Sequence, residues 1–262
     1  MNEEELQKAR FRRLCTEAML EGRTEGKYGF GTLAEKRMHA VLKKYICPDT
    51  DFHEVGLDGT RYLSDVRIGN DIWEIQTGDF SPMKQKIFYY LSHTDCTVTV
   101  VHPIVVNKWV SKIHPQTFEI YDRRKSPRHE RSEDLLPLLY PLLPDLGNPR
   151  LRFRLLLTEA EEFRIPEAKG RRSRRGSVRY ERIPLSLIED QRYDAPVDFL
   201  RFLPDALPDP FTVREFSRAT SILGMDAYSS VRVLAALGLL SPAEPIGRAM
   251  AFRRAEGFSA PR

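Results

Sequence analysis

The chain has 262 residues, 41% of them hydrophobic and 30% charged, the balance of a globular protein long enough for one large or two ordinary domains. No run approaches the roughly 20 apolar residues of a membrane helix, and the acidic start Met1-Asn2-Glu3-Glu4-Glu5 is unlike a signal peptide, so a cytoplasmic location is expected. Cys15, Cys47 and Cys96 are too few and too scattered for a disulfide framework or a zinc site, and the mild net charge of +4 hides a basic run at 169–182 whose only acid is Glu181.

In chain order, residues 3–22 read as an amphipathic helix with Leu6, Ala9, Leu14, Ala18 and Met19 as its apolar stripe. A glycine-rich connection at 22–31 lacks the Gly-Lys-Ser/Thr ending of a phosphate-binding loop. Thr32 and Glu35 form a capping box for a helix over 33–46, with Met38, Val41, Leu42 and Tyr45 as its buried face. A strand over 52–57 precedes two more, 61–68 and 71–76, joined at Gly69-Asn70, a two-residue hairpin signature.

That turn sets the register. Asp65 is expected opposite Glu74, and Leu63 opposite Gln76, on a face that also holds Arg67; Ser64, Val66, Ile68, Trp73 and Ile75 form the core face. Opposed side chains lie about 5 Å apart, where two carboxylates repel by about 3 kcal/mol at an effective dielectric of 20. A divalent cation would offset this; a pair splayed into water is the alternative.

Ser81 and Pro82 start a helix over 82–92, followed by a uniformly apolar strand over 96–106 buried on both faces. Residues 109–113 and 117–121 suggest a hairpin, 133–143 a helix interrupted by proline, 151–165 a strand, 169–177 a basic loop and 196–203 a short helix. From Phe211 onward, Thr212 caps one helix and Asp226 a second, with Val231, Leu234 and Leu237 on its apolar face, and 242–254 suggests a wing. Arg232 is the only base on the second helix, which favours a protein contact, whereas Arg248, Arg253 and Arg254 in the wing favour nucleic acid.

Glu35 on a helix, then Asp65, then Glu74-Ile75-Gln76, set on helix-strand-strand-strand-helix-strand over 32–106, resembles the core of the PD-(D/E)XK nuclease superfamily. The resemblance implies an α/β (α+β) fold: a restriction endonuclease-like core with a mixed central sheet flanked by helices, plus a smaller, mostly helical winged-helix-like domain. The corresponding division is an N-terminal helix and linker at 1–31, a nuclease-like domain at 32–166, a basic loop and linker at 167–210, and the winged-helix-like domain at 211–262.

It further implies a nuclease cutting DNA with magnesium or manganese. Asp65 and Glu74 would be metal ligands, the Ile75 carbonyl a third, and Glu35 a ligand or water-positioning group. Gln76 stands where the superfamily usually has lysine; it could orient water but carries no charge, and Lys84 or Lys86 on the following helix would supply one. His39 and His53 would line the same cleft or serve structure. Arg171, Arg172, Arg174, Arg175 and Arg179 would meet phosphates, or form a solvated loop. Nucleic acid, most simply DNA, is the implied partner, with a homodimer as in many enzymes of this class. A nuclease fold kept for binding or regulation, without catalysis, is the other reading of Gln76.

Overall fold

The computed structural model describes residues 2–24, 37–57, 59–117, 119–166 and 176–257. Its elements in order are α1 (Glu3–Thr24), α2 (Arg37–Ile46), β1 (His53–Gly56), β2 (Leu63–Ile68), β3 (Asp71–Ile75), α3 (Lys84–His93), β4 (Thr97–Ile113), β5 (Ile120–Lys125), α4 (Leu135–Leu138), β6 (Leu151–Pro166), β7 (Ser177–Tyr193), β8 (Phe211–Thr212), α5 (Val213–Thr220), α6 (Gly224–Ala236), β9 (Leu240–Ile246) and β10 (Ala249–Arg254). Among the described residues, seven strands form one mixed sheet in the order β1-β2-β3-β4-β6-β7, with β5 paired to β4, and three form a second, β8-β10-β9. The class is therefore α+β, a large sheet flanked by helices. No described helix is long and apolar enough to cross a membrane.

Packing divides the chain into two units. The first holds Met1–Arg67, Val101–Arg131 and Leu155–Gln191. Here α1 buries Phe11, Leu14, Cys15 and Ala18, spaced i, i+3, i+4, i+7 as one helix face requires. Leu6 is 56% exposed and Ala9 is exposed. Leu14 and Ala18 are thus buried as expected, while Phe11 and Cys15 take the place of Leu6 and Ala9, because Phe11 is the residue that reaches Tyr45 of α2, ring centroids 5.1 Å apart. Arg10 donates to the carbonyls of Lys44 and Tyr45 at 3.2 and 2.9 Å, satisfying orphan acceptors at the α2 C-terminus. In the sheet interior, Ile113, Phe163 and Ile183 pack together, with Met19, Ile165 and Tyr180 around them. All three cysteines are buried free thiols, as their spacing implied, and burial pushes the Cys15 thiol up to about 12.

Two elements differ from expectation. The apolar strand does not end near Val106 but runs to Ile113 as one 17-residue β4, whose far end pairs antiparallel with β5, Trp109 opposite Lys125 and Ile113 opposite Ile120. Its polar end stays in the sheet because β6 supplies partners: Asn107 donates to Glu159 at 3.2 Å and Ser111 to Glu161 at 2.5 Å. Within the basic run, Ser177 already begins β7, which carries Arg179 and Arg182 into the sheet.

The second unit holds Ile68–Val100, Ser132–Arg154 and Arg192–Arg262. Phe153, Tyr193, Phe199 and Phe202 form an aromatic cluster with ring centroids 4.8 to 6.0 Å apart. The expected helix-turn-helix with a two-stranded wing is present: α6 packs on α4 and α5, and β9 and β10 pair beside β8. Val231, Leu234 and Leu237 are buried as anticipated. Asp226 is not the α6 cap; the helix begins at Gly224 behind Leu223, so Asp226 occupies the first turn, where its charge meets the helix dipole.

The α5 cap is as expected. Thr212 Oγ1 accepts the Glu215 N–H at 3.3 Å, and Glu215 Oε2 accepts the Thr212 N–H at 2.7 Å. Thr212→Ala should cost about 1 kcal/mol, measured as a lower denaturation midpoint in urea at unchanged slope; no change would mean that α5 is held by packing alone.

Candidate functional site

In the first unit, β1 and β2 pair antiparallel with His53 opposite Val66 and Val55 opposite Ser64, and the Ser64 hydroxyl donates to the Val55 carbonyl at 2.9 Å. Ser64 and Val66 are buried, so strand alternation puts Asp65 on the opposite face. There His39 Nε2 of α2 lies 3.3 Å from Asp65 Oδ2, both side chains about four-fifths buried. His53 instead holds the Cys47 carbonyl through Nε2 at 2.9 Å, a structural contact.

In the second unit, the chain reverses at Gly69, whose φ of 59° is where glycine carries no Cβ penalty. On β3, Ile72 and Glu74 are buried at 0% and 4% exposure, while Trp73 is half-buried. The face carrying Glu74 is thus the more enclosed, and Trp73 is not the core residue expected. The Lys86 ammonium sits 2.6 Å from Glu74 Oε2, and the Tyr90 hydroxyl donates to Oε1 at 3.1 Å. Lys86 and Tyr90 are four apart on α3, so one helix face delivers both to the carboxylate. The ammonium also lies 5.9 Å from the Tyr90 ring centroid, within cation–π range. Lys84 is exposed, so of the two candidate lysines it is Lys86 that meets Glu74.

Ile75 is buried. The Gln76 side-chain amide donates to the Asp79 carbonyl; Asp79 in turn accepts from the Ser81 N–H and hydroxyl at 2.7 and 2.8 Å, bonds that hold its carboxyl below the usual range. Gln76 therefore helps shape the turn into α3. Glu35, Arg171, Arg172, Arg174 and Arg175 lie outside the described residues, and Arg179 is exposed on β7. Sequence reasoning missed Tyr90 and the seat of His39 on Asp65; the i, i+4 spacing of Lys86 and Tyr90 was the available signal for the first.

Among the described residues, no group of three or more His, Cys, Asp or Glu side chains is arranged to hold a metal ion. The donor types nevertheless suit magnesium, an oxygen-seeking cation that takes one or two carboxylates and keeps several waters.

The family described as Domain of unknown function (DUF8091) matches residues 36–194, from α2 through β7. No curated protein matches the chain, and neither does any solved structure.

Proposed function

The chain belongs to the DUF8091 family, and from its own residues we propose that it is a metal-dependent nuclease-like protein that hydrolyses DNA phosphodiester bonds. The observation that carries this reading is the Lys86 ammonium 2.6 Å from Glu74 Oε2, which gives the strand carboxylate the cation that Gln76 does not provide. Asp65 and Glu74, with the Ile75 carbonyl, are the groups that would hold magnesium or manganese. When bound, such an ion lowers the pKa of an attacking water and neutralises charge on the phosphate.

The protein's own groups have separable parts. His39 orients the Asp65 carboxylate, Tyr90 fixes the Glu74 carboxylate through Oε1, and Lys86 presents a positive charge where negative charge grows on the phosphate oxygens. Glu35 remains the proposed helix acid, and Arg171, Arg172, Arg174, Arg175 and Arg179 the sequence-independent phosphate contacts. The proposal includes a cytoplasmic location and a homodimer as the working assembly.

Incubating the protein with supercoiled and linear DNA plus magnesium or manganese tests it. Metal-dependent cleavage is expected, falling at least 100-fold, the order seen when a group stabilising transition-state charge is lost, in Asp65→Ala and Glu74→Ala. Metal-independent or absent cleavage in the wild type sinks the enzyme reading.

One observation favours a second reading, a catalytically silent DNA-binding or regulatory protein: the Gln76 amide is bonded to the Asp79 carbonyl in the turn. That reading is selected if calorimetry detects no magnesium binding while DNA is still bound.

A further inference from the structure

In the first unit, Glu162 of β6 is 3% exposed, and three cations from three adjacent strands converge on it. Arg164 Nη1 reaches Oε1 at 2.5 Å, while Arg182 Nη2 of β7 and Lys108 Nζ of β4 both reach Oε2, at 3.2 and 3.4 Å. Burial raises the Glu162 carboxyl, but the three positive charges outweigh this and hold it below its usual range. Their own side chains are 15 to 19% exposed, so solvent screens them only in part. Among the described residues, one carboxylate thus faces three cations.

The neighbouring cations show that this excess is local. Lys112 is matched by Asp122 at 2.5 Å, and Arg123 by a two-pronged contact to Glu161 at 3.1 and 3.3 Å. Within the cluster the donors are used unequally. Arg164 is bonded through all three of its nitrogens, giving Nε and Nη2 to the Ser177 hydroxyl and carbonyl at 3.0 Å each and Nη1 to Glu162. Arg182 bonds Glu162 through Nη2 alone, and its buried Nε has no hydrogen-bond partner. Lys108 has one long bond for three protons.

We propose that Lys108 and Arg182, ordered by Glu162 and backed by Arg164, form a binding site for a phosphate group on the β4-β6-β7 face. Both cations reach the same carboxylate oxygen, so their remaining donors lie close enough to share one tetrahedral oxyanion, which arginine and lysine bind through charge-assisted hydrogen bonds. Arg164, with each of its nitrogens already bonded, positions Glu162 and tethers β7 through Ser177. The phosphate would come either from a nucleic-acid backbone or as a free phosphate ion. The site shares no residue with the proposed metal ligands and needs no metal.

The full chain is tested in EDTA, so that the outcome is independent of the proposed metal chemistry. Calorimetry with inorganic phosphate, against chloride at matched ionic strength, forms one arm; fluorescence anisotropy with a labelled DNA duplex over a salt series forms the other. Lys108→Gln and Arg182→Gln should each weaken binding about tenfold, the loss of one charge-assisted hydrogen bond, and lower the salt slope for DNA by about one. Arg13→Gln, an exposed α1 cation, should leave both unchanged. A response in the DNA arm assigns the site to backbone phosphate, and a response only to inorganic phosphate assigns it to the free ion. The proposal is overturned if neither ligand binds, or if binding is the same in Lys108→Gln, Arg182→Gln and Arg13→Gln. Far-ultraviolet circular dichroism of each variant confirms folding, and if Arg182→Gln unfolds, Lys108→Gln alone decides.

Discussion

Exchanging Lys86 for methionine should destabilise the protein by about 3–5 kcal/mol, the usual cost of removing one partner of a buried ion pair, and lower Tm by about 10 °C. Methionine keeps the length of the stem, so the loss comes from the charge. Glu74, 4% exposed, would remain on β3 with the Tyr90 hydroxyl at 3.1 Å but without the ammonium. The double variant Lys86→Met/Glu74→Leu should recover most of that stability, since an apolar pair of similar volume often matches or exceeds a buried ion pair. It should also be folded and unable to cut DNA, which separates the structural part of the pair from its proposed part in cleavage. A single variant as stable as the wild type would show that Glu74 does not depend on Lys86, and the proposed function would lose its carrying observation.

Phe163→Ala should cost about 3–5 kcal/mol, the range for truncating a buried aromatic residue. Phe163 is 1% exposed and packs against Ile113 and Ile183, so β4, β6 and β7 each contribute one wall, and the vacated volume cannot close without shifting a strand. Phe163→Leu, which refills most of the space, should cost less than half as much. Urea denaturation of the three proteins measures both values. A cost below about 1 kcal/mol for Phe163→Ala, well under the range for such truncations, would mean that this interior is not closely packed.

The parts of the fold that local chemistry dictates were readable in advance. Gly69-Asn70 forces the reversal between β2 and β3, Pro82 marks the approach to α3, and Thr212 caps α5. What failed depended on partners remote in sequence. Asn107 and Ser111 look like the end of an apolar strand until Glu159 and Glu161, about fifty residues away, accept their hydrogen bonds. Charge near Arg179 and Arg182 outweighed the β-branched and aromatic residues Val178, Tyr180 and Ile183, because a basic run reads as solvated unless a buried Glu162 is known to await it.

The candidate site divides in the same way. Strand alternation puts Asp65 on the face opposite the buried Ser64 and Val66, as the sequence implied, while its pairing with Glu74 belongs to the proposal. That Lys86 rather than Lys84 meets Glu74 depends on the rotation of α3, fixed by the burial of Ile87, Tyr90 and Leu91. His39 on Asp65 likewise needed the packing of α2.

The Arg10 contact with the end of α2 bears on where the protein can be divided. Sequence kinship with the family starts at residue 36, yet α1 lies wholly before it and supplies the guanidinium that closes two α2 carbonyls and the Phe11 ring set edge-on against Tyr45. A fragment trimmed to the shared region would begin at α2 with the Tyr45 ring lacking Phe11 and the Lys44 and Tyr45 carbonyls lacking the Arg10 donor. The shared segment therefore stops short of α1, although α1 packs on α2 as part of the same compact unit.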